Sequence, residues 1–217
     1  MKELTFYEKK LEDLYIPLKA SVSGLSGSAN FEAGISITPG RDGLQPALSL
    51  AYSSGGGNSV FGAGWSLQGI PSITLSLKSG YPRYDKLDRY SFGGQELIPW
   101  LDKIGGKWQE RINENEHHFI HYYRTTVDPS FTRIEKWTDK LTRNEHWRVH
   151  SINNQVMVFG KSPDQSTQVY DPRDQKKIFQ WLLESQYDNI GNCVEYEYVA
   201  EDLANVNGNL CFERNRV

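Results

Sequence analysis

Hydrophobic and polar positions alternate along the chain with the period of two that marks a half-buried strand, and they do so in several separate runs. Ile73, Leu75 and Leu77 alternate with Thr74, Ser76 and Lys78. In the run from Ala47 to Tyr52, Leu48, Leu50 and Tyr52 take one face, and the opposite face holds Ser49, Ala51 and Ser53. That run forms a hairpin with residues 31–37 across the turn cluster Pro39-Gly40-Arg41-Asp42-Gly43. Residues 137–160 read as two strands about Asn153-Asn154, a pair that tolerates positive φ in a two-residue turn. Residues 177–199 give a last hairpin around Tyr187-Asp188-Asn189-Ile190-Gly191-Asn192, with Val194, Tyr196 and Tyr198 on one face of its second strand and Glu195 and Glu197 on the other. Residues 162–174, rich in Pro, Asp, Gln and Ser, read as a surface loop. Only residues 2–14 carry helical charge spacing, over a short and mostly polar stretch. The pattern predicts an all-β fold of mostly antiparallel sheets built from successive hairpins, with residues 1–26 as an arm or short helix and residues 27–217 as the β domain.

The densest signal runs from Gly55 to Pro99, and its second half reads as a turn carrying aspartates and tyrosines, then a short strand and a Gly93-Gly94 corner. Five glycines between Gly55 and Gly64 lead into Trp65, so a backbone free to take positive φ delivers one large ring. The expectation is a tight corner that seats Trp65 in a core shared with Ile73, Leu75 and Leu77. A phosphate cradle is disfavoured, because Phe61-Gly62-Ala63-Gly64-Trp65 runs into a strand and no Gly-Lys-Ser/Thr closes the loop.

Composition narrows the reading. Six Trp, twelve Tyr and nine Phe beside nineteen Gly and two Met favour sheets and turns over helical bundles. A net charge of −3 and a pI near 6.0 offer no basic face for nucleic acid. With only Cys193 and Cys211, a disulfide framework does not hold the fold, and whether the two are bridged stays open. The first eighteen residues lack the apolar core of a secretory signal, and no stretch is long and apolar enough to cross a bilayer. The expectation is release without a classical signal peptide, or a cytoplasmic location before release.

Candidate chemistry is sparse. All five histidines, His117, His118, His121, His146 and His150, lie within residues 116–150; His117 with His121 and His146 with His150 share a strand face, and pairing of the two strands would bring these four imidazoles together as zinc ligands. The bland alternative is a set of rings packed among Phe119, Tyr122 and Tyr123. Asp85 and Asp88 are two oxygen donors for calcium, but aspartates in turns ordinarily bond their own backbone. No Gly-x-Ser-x-Gly elbow or Cys/His pairing is visible. No catalytic, metal or cofactor residues are assigned. Aromatic alternation leaves a sugar-binding module as an alternative.

Four segments carry a likeness to a known family: residues 38–57 (TPGRDGLQPALSLAYSSGGG), 61–67 (FGAGWSL), 71–74 (PSIT) and 80–97 (GYPRYDKLDRYSFGGQEL). They resemble the SpvB-type N-terminal region, shared by a plasmid-encoded virulence protein and by the B component of bacterial insecticidal Tc toxin complexes. The hairpin at Asp188, Gly191 and Asn192 is similar to the YD-type, Rhs-like hairpins of toxin shells. The resemblance implies a structural motif made of Gly62, Gly64, Trp65, Ser66, Tyr84, Asp85, Asp88, Tyr90, Phe92, Gly94, Asp188, Gly191 and Asn192. It also implies a non-catalytic role in building a shell around a toxic cargo, with a C component and an A component as partners and no nucleic acid. Relatives continue beyond the point where this chain reads CFERNRV, so a truncated domain is expected. Because some relatives carry an ADP-ribosyltransferase, Ser166-Thr167-Gln168 and Glu195-Tyr196-Glu197 are candidates for its Ser-Thr strand and Glu-x-Glu pair. Position argues against them: Ser166 lies in a polar loop and the glutamates follow from strand alternation.

Overall fold

The computed structural model describes residues 18–24, 27–59, 61–127 and 131–199, and divides the chain into two compact units. The first contains residues up to Gly40 and from Gln45 to Ile70; the second contains Arg41–Leu44 and everything from Pro71 on. Both are built of antiparallel strands, as the period-two pattern requires.

In the first unit, β1 (Leu18–Val22), β2 (Ala29–Gly34), β3 (Ser49–Ser53) and β6 (Trp65–Gln68) form a sheet in that order. The short strands β4 (Asn58–Ser59) and β5 (Gly62–Ala63) make a hairpin inserted before β6. The expected β2–β3 hairpin is present, pairing Phe31 with Tyr52. Residues 18–22 pair with β2, so the sheet begins inside the stretch expected to be an arm; the helix expected at residues 2–14 lies outside the described residues. Tyr52 pairs across the ladder with Trp65, and Phe31, Tyr52 and Trp65 form a ring ladder with centroids 5.8 and 5.2 Å apart.

The glycine corner works as expected at Gly64. Its φ is +79°, and a Cβ there would stand 2.7 Å from both the Ser53 carbonyl oxygen and the Tyr52 ring. Absence of a side chain thus lets the Tyr52 ring lie against the backbone just before Trp65. The destination differs from the expectation. Trp65 is only partly buried and belongs to the first unit, whereas Ile73 and Leu75 are core residues of the second. Leu77 is exposed, because β7 (Ser72–Leu75) has ended before it.

The second unit continues with β8 (Tyr90–Phe92), β9 (Gln95–Pro99), β10 (Leu101–Ile104), β11 (Lys107–Glu110), β12 (Ile112–Glu114), β13 (His118–Thr125), β14 (Arg133–Asp139), β15 (Glu145–His150), β16 (Val156–Phe159), β17 (Gln168–Asp171), β18 (Asp174–Tyr187) and β19 (Cys193–Glu195). Following the ladders from β13 through β14, β15, β16, β18, β7, β8 and β9 returns to β13, where Tyr123, Arg124 and Thr125 pair with Pro99, Ile98 and Leu97. Eight antiparallel strands therefore close into a barrel. β12 joins the same edge of β13 further along, and β10–β11 is a separate hairpin between β9 and β12. Eight strands leave room for little beyond inward side chains. Here Ile73, Leu97, Ile134, Trp147, Val149, Phe159, Trp181 and Leu183, all at most 2 % exposed, fill that space. Tyr90 packs edge-on against Trp147, Trp181 and Tyr123, at 4.7, 5.8 and 5.8 Å.

Three local readings change. Residues 137–160 hold parts of three strands, with Trp137 on β14, and the β15–β16 connection spans residues 151–155 with Asn154 at φ 56°, longer than a two-residue turn. Residues 168–171, expected in a loop, form β17 because Gln168 is buried and donates to the Gly160 and Glu145 carbonyls. On the last hairpin β19 stops at Glu195, although the Tyr196 N–H still reaches the Glu184 carbonyl. By contrast, Gly93-Gly94 is a two-residue hairpin turn as read, with Phe92 opposite Gln95 and both φ positive, at 57° and 77°.

Gly64→Ala is expected to destabilise the chain by at least about 2 kcal/mol, from left-handed strain plus displacement of Tyr52. Denaturant unfolding followed by tryptophan fluorescence measures it; a change below about 0.5 kcal/mol would show that the corner relaxes freely.

Candidate functional site

The motif residues fall into three places. Gly62, Gly64, Trp65 and Ser66 belong to the β5–β6 corner of the first unit, where the Ser59 hydroxyl donates to the Trp65 carbonyl and Ser66 Oγ accepts from Gln68 Nε2 at 2.9 Å. Asp188, Gly191 and Asn192 form the β18–β19 turn. There the Asp188 carboxylate accepts from the N–H groups of Ile190 and Asn192, both at 3.0 Å, and from Asn192 Nδ2 at 2.7 Å. Burial works against ionisation of Asp188, but the Asn192 side chain and the backbone N–H groups outweigh it and hold its carboxyl below the usual range. Tyr84, Asp85, Asp88, Tyr90, Phe92 and Gly94 belong to the barrel.

This third group builds a cleft. The loops after β7, after β14 and on either side of β17 leave one end of the barrel together, enclosing about 1200 Å³. Tyr84, Asp85, Lys86 and Asp88 line its wall, while Tyr90, Lys136, Glu145 and Trp181 line its inner part. Mouths of β-barrels are a recurrent position for binding sites. Asp88 shapes the wall by accepting from the N–H groups of Arg83, Tyr84 and Asp85, and Asp85 Oδ1 accepts from Leu87 N at 2.8 Å. These bonds hold Tyr84 at a positive φ of 59°. The turn reading of the two aspartates thus has its geometry, and among the described residues no group of three or more acidic, His or Cys side chains is placed to hold a metal ion.

In the inner part of the cleft, the Lys136 ammonium donates to Tyr90 Oη and to Glu145 Oε1, each at 2.9 Å, and lies 5.0 Å from the Tyr90 ring centroid. Burial opposes the lysine's charge, but the Tyr90 and Glu145 oxygens outweigh it and raise its pKa. The Tyr90 phenol is pushed up, chiefly by burial. At neutral pH the pair is therefore a cation beside a neutral hydroxyl, with Glu145 as counter-charge. Sequence reasoning did not find Lys136 or Glu145, because a lysine on an aromatic strand has no motif and its partners are 46 and 9 residues away.

The histidines do not assemble as four. β14 separates β13 from β15, so the two expected pairs are not neighbours, and His121 falls on the opposite face of β13 from His118. What meets across β14 is His118, Trp137 and His146, with the His146 ring stacked on Trp137 at 5.8 Å and 28°. The His118 and His146 rings are packed, on Trp137 and on each other, in place of the expected neighbours Phe119, Tyr122 and Tyr123. His146 Nε2 is buried without a hydrogen-bond partner, and burial, helped by the charges of Arg148, His118 and Lys161, pushes its pKa down to about 3.

The transferase candidates are tied into structure except for Glu197, which is exposed past the end of the last strand. Ser166 Oγ donates to Asp164, buried Thr167 donates to Glu184 Oε2, and Gln168 is held as above. The same Glu184 oxygen accepts from Lys161 N and Ser162 N, both at 2.8 Å, closing the loop onto β18. Glu195 pairs on β19 with Ser185. Cys193 is exposed, and Cys211 lies outside the described residues.

Comparison with known proteins places this geometry. The family model described as "Salmonella virulence plasmid 65kDa B protein" (SpvB) matches residues 23–217. The mono(ADP-ribosyl)transferase SpvB of Salmonella choleraesuis (strain SC-B67) is 30 % identical over 198 residues, 87 % of this chain and 33 % of that protein. The chain thus spans about a third of the length of the curated relatives it matches. Among solved structures, TcdB2-TccC3 superimposes with a TM-score of 0.74 at 30 % identity, over 89 % of this chain and 9 % of that one. The N-terminal domain of the effector SpvB from Salmonella typhimurium strain LT2 superimposes with a TM-score of 0.67 at 30 % identity, over 79 % of this chain and 57 % of that one.

Two outcomes follow from the site. Lys136→Met is expected to destabilise the chain by about 3 kcal/mol by leaving Glu145 unpaired, and Lys136→Met/Glu145→Leu to recover part of the loss; chemical denaturation of both variants measures it. For His146 the unfolded state, with an ordinary imidazole pKa near 6.5, binds a proton that the folded state refuses until about pH 3. Stability is therefore fully retained above about pH 6.5 and falls as pH drops, with a limiting slope of about tenfold in the folding constant per pH unit. His146→Phe, which keeps the stack on Trp137, flattens that slope between about pH 6.5 and 5, measured by urea titration at each pH.

Proposed function

The chain belongs to the SpvB family, and on that footing we propose that it is a non-catalytic assembly region of a bacterial toxin-complex B component, contributing surface to a shell that encloses a toxic cargo. The observation that carries this reading is that one fold, at 30 % identity, forms both the N-terminal domain of SpvB and a 9 % share of the TcdB2-TccC3 chain. What such a region contributes is common to both settings, and a structural role satisfies that condition. The barrel interior supports it. Inward positions are spent on packed apolar and aromatic side chains, and a large cleft lies at the barrel's end. Of the residues matching the transferase pattern, Thr167 is engaged in closing a loop and Glu195 in a sheet ladder, Glu197 lies exposed past the end of β19, and none of them lines the cleft at the barrel's end.

The partners in this reading are the C component and the A component of the complex, and the site of action lies outside the producing cell. Its contacts are made through loops and strand edges: the β10–β11 hairpin, for instance, exposes Leu101, Ile104 and Trp108.

Size-exclusion chromatography of this chain mixed with a co-expressed C component is expected to give a co-eluting complex, and the chain alone is expected to leave NAD unconsumed. Separate elution together with NAD turnover that Glu197→Gln abolishes would overturn the proposal.

A further inference from the structure

We infer that the cleft at the barrel's end is a docking site for an acidic peptide segment of a partner protein. Its charges are unequally spent. The four carboxylates on its lining are all engaged: Asp85 and Asp88 by loop N–H groups, Asp174 by Lys176 N and Lys177, and Glu145 by Lys136. The four outer cations are not. Lys86, Arg143 and Arg173 come from three different loops and Lys176 from the start of β18; all four are exposed and have side chains with no ion pair or hydrogen bond among the described residues. Further in, Lys136 spends two of its three N–H donors on Tyr90 and Glu145. An unpaired cationic ring above a buried cation selects an anion, and cations spread over separate loops suit an extended anion more than a compact one.

The remaining lining identifies the chemistry further. About 1200 Å³ exceeds the upper range of cavities that enclose a drug-sized molecule. Leu141, 91 % exposed, and Tyr84, 40 % exposed, add apolar contact area beside the cations, as an acidic segment carrying hydrophobic residues would use. An acidic glycan fits less well, because it needs an open aromatic platform. Of the three aromatic rings on the lining, Trp181 is 2 % exposed, Tyr90 is committed edge-on to three core rings, and Tyr84 stands open alone, with Lys177 Nζ 6.0 Å from its ring centroid.

This inference rests on the assembly reading but fails separately from it: a chain that joins its C component yet binds no acidic peptide sinks the inference alone. The test is fluorescence anisotropy of the whole chain with a fluorescein-labelled peptide of repeated Glu-Glu-Leu, beside a Lys-Lys-Leu peptide and a glucuronate oligosaccharide. The expected result is binding of the acidic peptide only, weakening as salt rises. Arg143→Glu/Arg173→Glu is expected to weaken it by about tenfold or more. Lys86→Glu/Lys176→Glu gives a second, independent pair should the first fail to fold. Lys103→Glu/Lys107→Glu, on a hairpin that does not line the cleft, makes the same charge change and is expected to leave binding within about twofold. Absence of acidic-peptide binding, preference for the oligosaccharide, or equal loss in the hairpin variant would each overturn the docking site.

Discussion

The second unit depends on one short ladder. Tyr123, Arg124 and Thr125 of β13 pair with Pro99, Ile98 and Leu97 of β9, and the Trp100 N–H continues the contact by donating to the Tyr122 carbonyl at 2.8 Å. Without these bonds the sheet would be an open, twisted strip with two free edges and a broad apolar face. With them it is closed, and the face becomes an interior. Closure and filling are therefore one event: the ring cluster of Tyr90, Tyr123, Trp147 and Trp181 draws its members from β8, β13, β15 and β18, which surround the same space only in a closed barrel.

Closure also makes the cleft. Once β7 and β8 are fixed in the wall, the fourteen residues between them must leave and return at one end, and the turn organised by Asp88 folds that excursion back on itself. The same carboxylate that shapes the turn is spent in doing so, which is why the motif contributes Lys86 as its uncompensated charge. Lys136 marks the limit of the filled interior. It lies on the inward face of β14 beyond Ile134, and it tolerates that place because Glu145 faces it from β15 and Tyr90 from β8.

Much of this was legible in the sequence. Alternation at Ile73 and Leu75, the Gly93-Gly94 turn and the Asp188 hairpin each report local geometry, and each is found where the pattern puts it. The family likeness read from residues 38–97 is found too. What failed shares a cause. Closeness in sequence suggests one core for Trp65, Ile73 and Leu75, but a break between units falls at residues 70 and 71. Spacing within each strand says nothing of which strands are neighbours, and β14 stands between the two that carry the histidines. Residues 168–171 looked like loop because Gln168 is polar, and only its bonds to Gly160 and Glu145 make it a buried strand residue. The inner part of the cleft was invisible for the same reason, since Tyr90, Lys136 and Glu145 meet only through the ring of ladders.

Native-state hydrogen exchange resolved to single amides is the most direct test of closure. If the barrel is closed, the amides that pair β9 with β13 exchange as slowly as those joining β13 to β14, because both open only when the whole unit unfolds. Exchange of the β9–β13 amides at the rate of a frayed edge, with β13–β14 still protected, would mean an open sheet, and the filled interior and the cleft above it would go with it.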